Sequence, residues 1–317
     1  MAVTDLAGRI AVVTGGGTGM GRELVRQLAA AGCHVAACDL NAEELARTAE
    51  LATGGSSGVR ITTHDCDVTD ADAVAAFAAE VAASHDTDHI NLLFNNAGVG
   101  GGGSFVIDDQ RAAWDTTFAV CWNGVLNCAR AFMDMLVRSD AGAMVNTSSI
   151  NGFWATVGPG APHTSYCAAK FAVKGFTEAL MQDLEIHAPH VSAHVLMPGH
   201  IGTSIALNSF SVHGVDVPLI RKNMAARGVD LDAFSDEDVE ALVRDRNTRF
   251  RDDAPTSAAQ AAEVILSDVL VGRWRILVGD DAYRIDERVR ADPESAYTPE
   301  FFEVFRDEGH LQAFPPR

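Results

Sequence analysis

Basic side chains are scarce in this sequence. Lys and Arg total 24 against 43 Asp and Glu, a formal net charge of -19 over 317 residues. A surface so short of cations argues against nucleic acid or an anionic membrane as partner, because holding a polyanion takes Lys and Arg. Cysteines are few: Cys33, Cys38, Cys66, Cys121, Cys128 and Cys167 form no C-x-x-C pair and no His/Cys cluster at zinc spacing. They read as reduced, packed thiols, and no metal site is expected. No apolar stretch reaches the roughly 18 residues that a membrane-spanning helix needs. The start, MAVTDLAGRIAVV, lacks a charged segment ahead of its short apolar run, so a cytoplasmic location is the expectation. Internal repeats are absent, and low complexity is confined to GGGSF after Gly100.

What is present is hydrophobic and alternating. Hydrophobic residues make up 47% of the chain, enough for a substantial core. Apolar runs of strand length recur at 9–14, 34–39, 59–65, 90–95, 143–148, 191–197 and 274–279. Near-continuous runs of this kind suit strands covered on both faces of a parallel sheet. Helical patterns lie between them, including long segments at 107–138 and 163–187. Strict alternation predicts right-handed crossovers and a doubly wound α/β sheet of seven parallel strands, one domain with additions. The rhythm fails after Met197-Pro198-Gly199, where about 55 residues pass before the helix near Pro255. Residues 204–254 are therefore expected to form a helical lid or binding insertion, with an amphipathic helix at 235–250 opened by a Ser235-x-x-Asp238 capping box. The stretch 281–317, with Pro at 293, 299, 315 and 316, reads as an extension wrapped on a surface.

The first strand runs into VVTGGGTGMGREL at 12–24. Glycines between a strand and a helix are the context that marks a dinucleotide-binding turn. Gly15 turns the chain, Gly19 lets the backbone approach a pyrophosphate and Gly21 lets the helix pack close, while the helix N-terminus offers free N–H groups. No Gly-Lys-Ser/Thr follows, which disfavours a nucleoside-triphosphate loop; a glycine turn without ligand is the alternative. Asp39 ends the second strand, eighteen positions past Gly21. A carboxylate there accepts from both ribose hydroxyls and repels a 2′-phosphate, so NAD is expected over NADP. The competing role for Asp39 is N-cap of the helix that begins near Asn41.

Farther on, TSYCAAKFAVKGF at 164–176 places Tyr166 and Lys170 four apart, on one face of a helix. A phenol of pKa about 10 passes protons poorly near neutrality; a fixed ammonium and an oxidised nicotinamide would both favour the phenolate and lower that value. A helix with an exposed Tyr and Lys is the plain alternative. The preceding strand ends in VNTSSINGF, which puts Ser148 and Ser149 at a carboxyl edge, where α/β sheets bind ligands. A serine hydroxyl there can donate to a substrate carbonyl.

Taken in order, TGGGTGMG (14–21), Asp39, CDVTD (66–70), NNAG (95–98), Ser148-Ser149, YCAAK (166–170) and MPGHIGT (197–203) resemble the short-chain dehydrogenase/reductase family. The resemblance runs through most of residues 8–203 and again at the last strand. It implies a Rossmann fold and an NAD-dependent oxidoreductase acting on a secondary alcohol or ketone. The implied catalytic residues are Ser149, Tyr166 and Lys170. The implied cofactor residues are the turn Gly15, Gly17, Thr18, Gly19, Met20 and Gly21, then Asp39, with Asp67 and Val68 at the adenine. Asn95, Ala97 and Gly98 would line the cofactor near the fourth strand. Pro198, Ile201 and Thr203 would lie by the nicotinamide carboxamide, and Lys170, beside Tyr166, at the nicotinamide ribose. A homotetramer or homodimer built on the 107–138 and 163–187 helices is implied too.

Two departures stand out. The family carries an asparagine three residues before a glycine in the helix after NNAG; here VCWNG puts Cys121 in that place and Asn123 two further on. A thiol substitutes poorly for an amide in ordering water behind the lysine, and two helical positions rotate a side chain by about 200°. A non-catalytic NAD(H)-binding sensor or scaffold is therefore the alternative function, with a lyase or epimerase using bound NAD as a third. The second departure is length: seventeen positions separate Ser149 from Tyr166, about four more than the family's norm. Phe153, Trp154 and His163 are candidates to line a substrate pocket or to pack on the lid. Asn151, His200 and the apolar residues of GTSIALNSFSVHGV (202–215) are further pocket candidates. The Phe, Trp and Leu content nearby points to an apolar substrate of moderate size.

Overall fold

A computed structural model describes residues 3–54, 58–101, 103–106, 111–158, 163–214, 216–225 and 228–307. Seven strands appear in the expected order: β1 (Ile10–Thr14), β2 (His34–Asp39), β3 (Ile61–Asp65), β4 (Leu92–Asn95), β5 (Gly142–Thr147), β6 (Val191–Pro198) and β9 (Arg275–Val278). They form one sheet, ordered β3-β2-β1-β4-β5-β6-β9, in which every pairing is parallel. This is the doubly wound Rossmann architecture. The strand order reverses between β1 and β4, and in such sheets ligands bind at the carboxyl ends beside that switch.

Burial on both sides explains the unbroken apolar runs: β1, β4 and β5 are buried at every position. Alternate residues feed opposite layers. Ala11 and Val13 pack with Leu24, Val25 and Leu28 of α1 (Gly19–Ala30) and with Ile265 of α10 (Ala258–Leu270). Ile10 and Val12 pack with Val74 and Phe77 of α3 (Ala71–His85) and with Phe132 of α5 (Gly124–Arg138). Each fully buried Val, Leu or Phe in these layers contributes about 2 kcal/mol of transfer free energy. α2 (Ala42–Thr53) completes the crossover from β2 to β3.

The 107–138 segment departs from a single regular helix. α4 (Arg111–Phe118) and α5 are joined through one π-helical turn, Ala119–Asn123, which carries Cys121; residues 107–110 lie outside the described residues. Helix α6 (Thr164–His187) crosses behind β5.

After β6 the chain is more ordered than its rhythm suggests. The short strand β7 (Ile201–Gly202) pairs with β8 (Thr256–Ser257). Between them lie α7 (Ile205–His213), α8 (Val217–Ala225) and α9 (Asp236–Asp252), the last opened by the Ser235/Asp238 capping box. Val217, Leu231 and Val239 give this insertion a small core of its own. Beyond β9, α11 (Asp280–Ala291) packs Ala282 against Val195, Met197 and Leu277 of the sheet. A 3-10 turn (Ser295–Tyr297) and α12 (Pro299–Asp307) follow, and α12 buries Phe301, Phe302 and Phe305 around Trp154. Residues 308–317, with Pro315 and Pro316, lie outside the described residues. Among the described helices none is long and apolar enough to cross a membrane, and all six cysteines are free and buried.

Candidate functional site

The loop from β1 to α1 is built by close approach. Gly15 has φ +64°, and a Cβ on it would lie 2.8 Å from the Ala97 Cα; a Cβ on Gly21 would lie 2.0 Å from the Gly15 carbonyl oxygen. Only glycine fits either place without moving backbone. Gly19, at φ +55°, faces Thr203, whose Cβ would be 3.0 Å from an added methyl, so the chain just past Gly202 folds onto the glycine turn. Thr18 sits at the N-cap of α1 in extended geometry and makes no side-chain cap bond, which leaves the first-turn N–H groups open to an anion. Its hydroxyl accepts the Asn208 amide at 3.1 Å. Met20 is half-buried against the layer that holds α1.

Asp39 spends both oxygens on backbone N–H groups: Oδ2 accepts from Gly17 at 2.8 Å and Oδ1 from Asn41 at 2.9 Å. The N-cap of α2 is Asn41, which accepts the Glu44 N–H at 3.1 Å, so the capping role weighed for Asp39 falls to its neighbour. Each Asp39 oxygen keeps a lone pair for a further donor. Arg22, absent from the candidates, reaches the same loop; it bonds the Gly17 carbonyl, Thr48 Oγ1 at 2.9 Å and the Glu44 carboxylate, which neutralises it.

Asp67 is half-buried, with Oδ1 accepting from the Thr69 N–H and hydroxyl at 2.8 Å each. Val68 packs on Gly124, where a Cβ would come within 2.7 Å of it. Asn95 ends β4. Its side chain is buried between strands, where Nδ2 bonds Asn146 Oδ1 at 2.7 Å. The next amide, Asn96, donates to the Thr14 and Gly15 carbonyls at 3.0 and 3.2 Å, while the Ala97 N–H reaches Thr14 Oγ1 at 3.0 Å. Asn96 was visible in the NNAG motif; alternation across a strand end sends the two amides to different partners. Gly98 lies beside Lys170 and Cys121, since a Cβ on it would sit 3.7 Å from Nζ and 3.8 Å from Sγ. Pro198 ends β6, Ile201 is buried in β7, and the Thr203 N–H bonds the Ile201 carbonyl at 2.8 Å.

At the carboxyl end of β5, Lys170 is buried, with Nζ 2.8 Å from the Thr147 carbonyl oxygen and 5.3 Å from the centre of the Tyr166 ring. Tyr166 is half-buried by surface area. Its phenol is held above its ordinary value because burial disfavours the charged form; a hydrogen bond with Ser149 pulls the other way. The expected lowering is thus not a property of the protein groups alone. Burial also lowers the Lys170 ammonium. Of the two serines, Ser148 is committed, donating to the Lys170 carbonyl at 2.7 Å. Ser149 Oγ accepts the Asn151 N–H at 3.1 Å and keeps its own proton to give. Cys121 is buried in the π-turn with Sγ 3.2 Å from the Val99 carbonyl oxygen.

The pocket candidates divide. His163 lies against the Tyr166 ring, with centroids 4.7 Å apart, and burial lowers its pKa to about 4. Trp154 is fully buried against the phenylalanines of α12, and Phe153 lies under the Arg275 guanidinium. The Asn151 amide is used up on the Trp154 and Thr156 carbonyls. His200 is tied at both ends, its N–H to Asp281 Oδ2 and its Nε2 to the Phe250 carbonyl, each at 2.6 Å. From 202–215 the structure brings polar groups forward: Ser209 accepts the Gly100 N–H at 2.7 Å and His213 Nε2 donates to the Gly100 carbonyl at 2.8 Å. With Asn208 on Thr18, these latch α7 over the groove. Val215 lies outside the described residues.

Comparison with known proteins agrees with this geometry. The family described as short chain dehydrogenase matches residues 9–212. A Mycobacterium tuberculosis protein named as an oxidoreductase, SadH, is 31% identical over 288 residues, covering 91% of this chain and 92% of that protein. A short-chain dehydrogenase/reductase from Burkholderia phymatum, solved in complex with NAD, superposes with a TM-score of 0.73 at 26% identity, covering 92% of this chain and 95% of that one. A metagenomic short-chain oxidoreductase in complex with NADP gives 0.53 at 31% identity, covering 61% and 83%.

Proposed function

This chain belongs to the short-chain dehydrogenase family, oxidoreductases that use a nicotinamide cofactor, and from that premise we propose that it is NAD-dependent and interconverts a secondary alcohol and a ketone of an apolar small molecule. The observation that carries the reading is the meeting of Tyr166, Lys170 and Ser149 at the carboxyl end of β5, beside a glycine turn whose helix N-terminus is uncapped.

The residues fit a dinucleotide. Gly15, Gly17, Thr18, Gly19, Met20 and Gly21 form a cradle that added Cβ atoms at Gly15, Gly17, Gly19 and Gly21 would crowd, and the open N–H groups of α1 suit a pyrophosphate. Asp39 would take the adenosine ribose hydroxyls, and its charge favours NAD over NADP. Asp67 and Val68 would border the adenine, Ala97 and Gly98 the middle of the groove, and Pro198, Ile201 and Thr203 the carboxamide. The NADP held by the metagenomic relative makes the Asp39 carboxylate the deciding feature of this chain. When bound, the nicotinamide supplies the hydride donor or acceptor and, oxidised, a positive charge.

The chain's own residues handle the proton and the oxygen. Ser149 donates its O–H to the substrate oxygen. Tyr166 gives a proton to that oxygen in reduction and takes it in oxidation. Lys170, anchored on the Thr147 carbonyl, stabilises the phenolate and binds the nicotinamide ribose. Because burial holds the phenol high, it is kept as a proton donor until positive charge arrives beside it. Replacing Tyr166 by Phe should abolish NAD(H)-linked turnover while leaving NADH binding within about threefold; retained turnover defeats the assignment. A second reading, an NAD(H) sensor without turnover, is favoured by one observation: the Cys121 thiol bonds the Val99 carbonyl and offers Lys170 no amide. A panel of secondary alcohols and ketones followed by NADH absorbance separates the two. The free, buried thiols suit a cytoplasmic protein. The exposed apolar Val137, Phe171 and Ile186 on α5 and α6 suit a homodimer or homotetramer built on those helices.

A further inference from the structure

We propose that the C-terminal segment 295–305 is part of the reaction apparatus, with Trp154 as a positioning residue that acts on the Ser149 hydroxyl through Asn151. The inference deepens the dehydrogenase reading and rests on it.

Ser149 heads the 3-10 turn Ile150–Gly152, and its Oγ accepts the Asn151 backbone N–H at 3.1 Å. With that lobe of the oxygen taken, the hydroxyl still keeps its proton to donate. Ser149 is the side chain whose contact works to lower the Tyr166 phenol against the effect of burial. A donor aimed at the phenolic oxygen favours the ionised form, and the same donor is needed by a substrate oxygen in that place. The aim of the Ser149 proton therefore depends on where the turn 150–152 sits.

That turn is gripped from two sides. On one it is pressed against α6: a Cβ on Gly152 would lie 2.1 Å from Ser148 Oγ and 2.8 Å from the Lys170 carbonyl oxygen. On the other, Asn151 Nδ2 spans the Trp154 and Thr156 carbonyls at 3.0 and 2.6 Å. Trp154 is itself held by the distant end of the chain. Its indole N–H donates to the Ala296 carbonyl at 2.7 Å, 142 residues away, and its ring packs 5.3 to 6.1 Å from those of Phe302, Phe301 and Phe305. Ala155 gives its N–H to the Tyr297 hydroxyl at 3.1 Å. The link from Ser149 to Tyr166 is long, and these contacts fix Asn151 on its outer side. Through Trp154, the described part of the tail sets the direction of a group at the reacting atoms.

The test uses the full-length chain with Phe305→Ala and Trp154→Phe, each in the wild-type and the Ser149→Ala backgrounds, reading kcat, KM and the NADH dissociation constant. Phe305→Ala should lower kcat about 10- to 100-fold, the scale for a misplaced catalytic group, with NADH affinity unchanged. In the Ser149→Ala background the same change should lower kcat less than about twofold, because the hydroxyl it positions is gone. Trp154→Phe keeps an aromatic ring against Phe301, Phe302 and Phe305 while losing the indole N–H and some ring surface, so it is the milder change, and it should show a smaller loss with the same dependence on Ser149. Equal losses in both backgrounds, or an unaltered kcat in the wild-type background, overturn the proposal. A wild-type chain that turns over no alcohol or ketone defeats the dehydrogenase reading; an active wild type with additive losses defeats only the positioning role.

Discussion

Replacing Asp39 by Asn should reverse the preference between the two nicotinamide dinucleotides. Asp39 now accepts backbone N–H groups from Gly17 and Asn41 at 2.8 and 2.9 Å, one on each oxygen. An amide can keep only one of these, and its NH2 group meets the other N–H donor head-on. It also offers a ribose one acceptor in place of two. A hydrogen bond to a charged group is worth about 1.5–3 kcal/mol, so NADH affinity should fall roughly 10- to 100-fold. The effect on NADPH has the opposite sign. A carboxylate about 5 Å from a phosphate feels about 3 kcal/mol of repulsion per unit charge at an effective dielectric of about 20, and salt reduces this by less for half-buried groups. Removing the charge should tighten NADPH about 100-fold, and the ratio of the two affinities should move by about 1000-fold or more. Arg22 lies next to this loop, but its pairing with Glu44 leaves it little to offer a phosphate, so the relief comes from the lost carboxylate. Titration of nucleotide fluorescence measures both constants with no substrate. Constants that keep their ratio within about threefold would refute the ribose role.

Glycine substitutions on the turn and on α6 should diverge. Gly21→Ala puts a methyl 2.0 Å from the Gly15 carbonyl oxygen, so the turn must shift; a loss of about 2–3 kcal/mol in urea unfolding and of measurable NADH binding is expected. Gly175→Ala meets nothing within 4 Å, and inside α6 it should gain about 0.5–1 kcal/mol; destabilisation instead would show that a second subunit fills that space. Acid should weaken the fold through its histidines. Burial holds His85 and His163 near 4, against 6.5 for the free side chain, so between those values the unfolded chain binds more protons and stability falls as pH drops. The slope is about 1.4 kcal/mol per pH unit for each histidine. Urea unfolding at pH 7 and pH 5 measures it, and His85→Gln should flatten the difference; an unchanged slope would mean His85 protonates without unfolding.

Much of the frame was legible before any coordinates. Strands buried on both faces leave runs such as IAVVT and LLFN, which period alone finds. The glycine turn carries a local steric demand, so its residues declare themselves, and the Tyr166 to Lys170 spacing is one helical turn. The π-turn at Cys121 left no such mark, because a single widened turn changes the period of only a few residues. Nor did the sign of the shift at Tyr166, which depends on how much of the phenol its neighbours cover.

The sequence by itself determined what local periodicity and short-range sterics encode: the alternation of strand and helix, the cradle at Gly15 to Gly21, and the order of the site residues along the chain. The tertiary structure alone decided which neighbour does which task. It put the Asn95 amide between strands and the Asn96 amide on the Thr14–Gly15 turn, tied the Ser148 hydroxyl to the Lys170 carbonyl, and brought Ala296 to the Trp154 indole. Each choice turns on a contact between residues far apart in sequence, 142 positions for Trp154 and Ala296. Such contacts follow from the packing of whole elements, and no period in the chain records them.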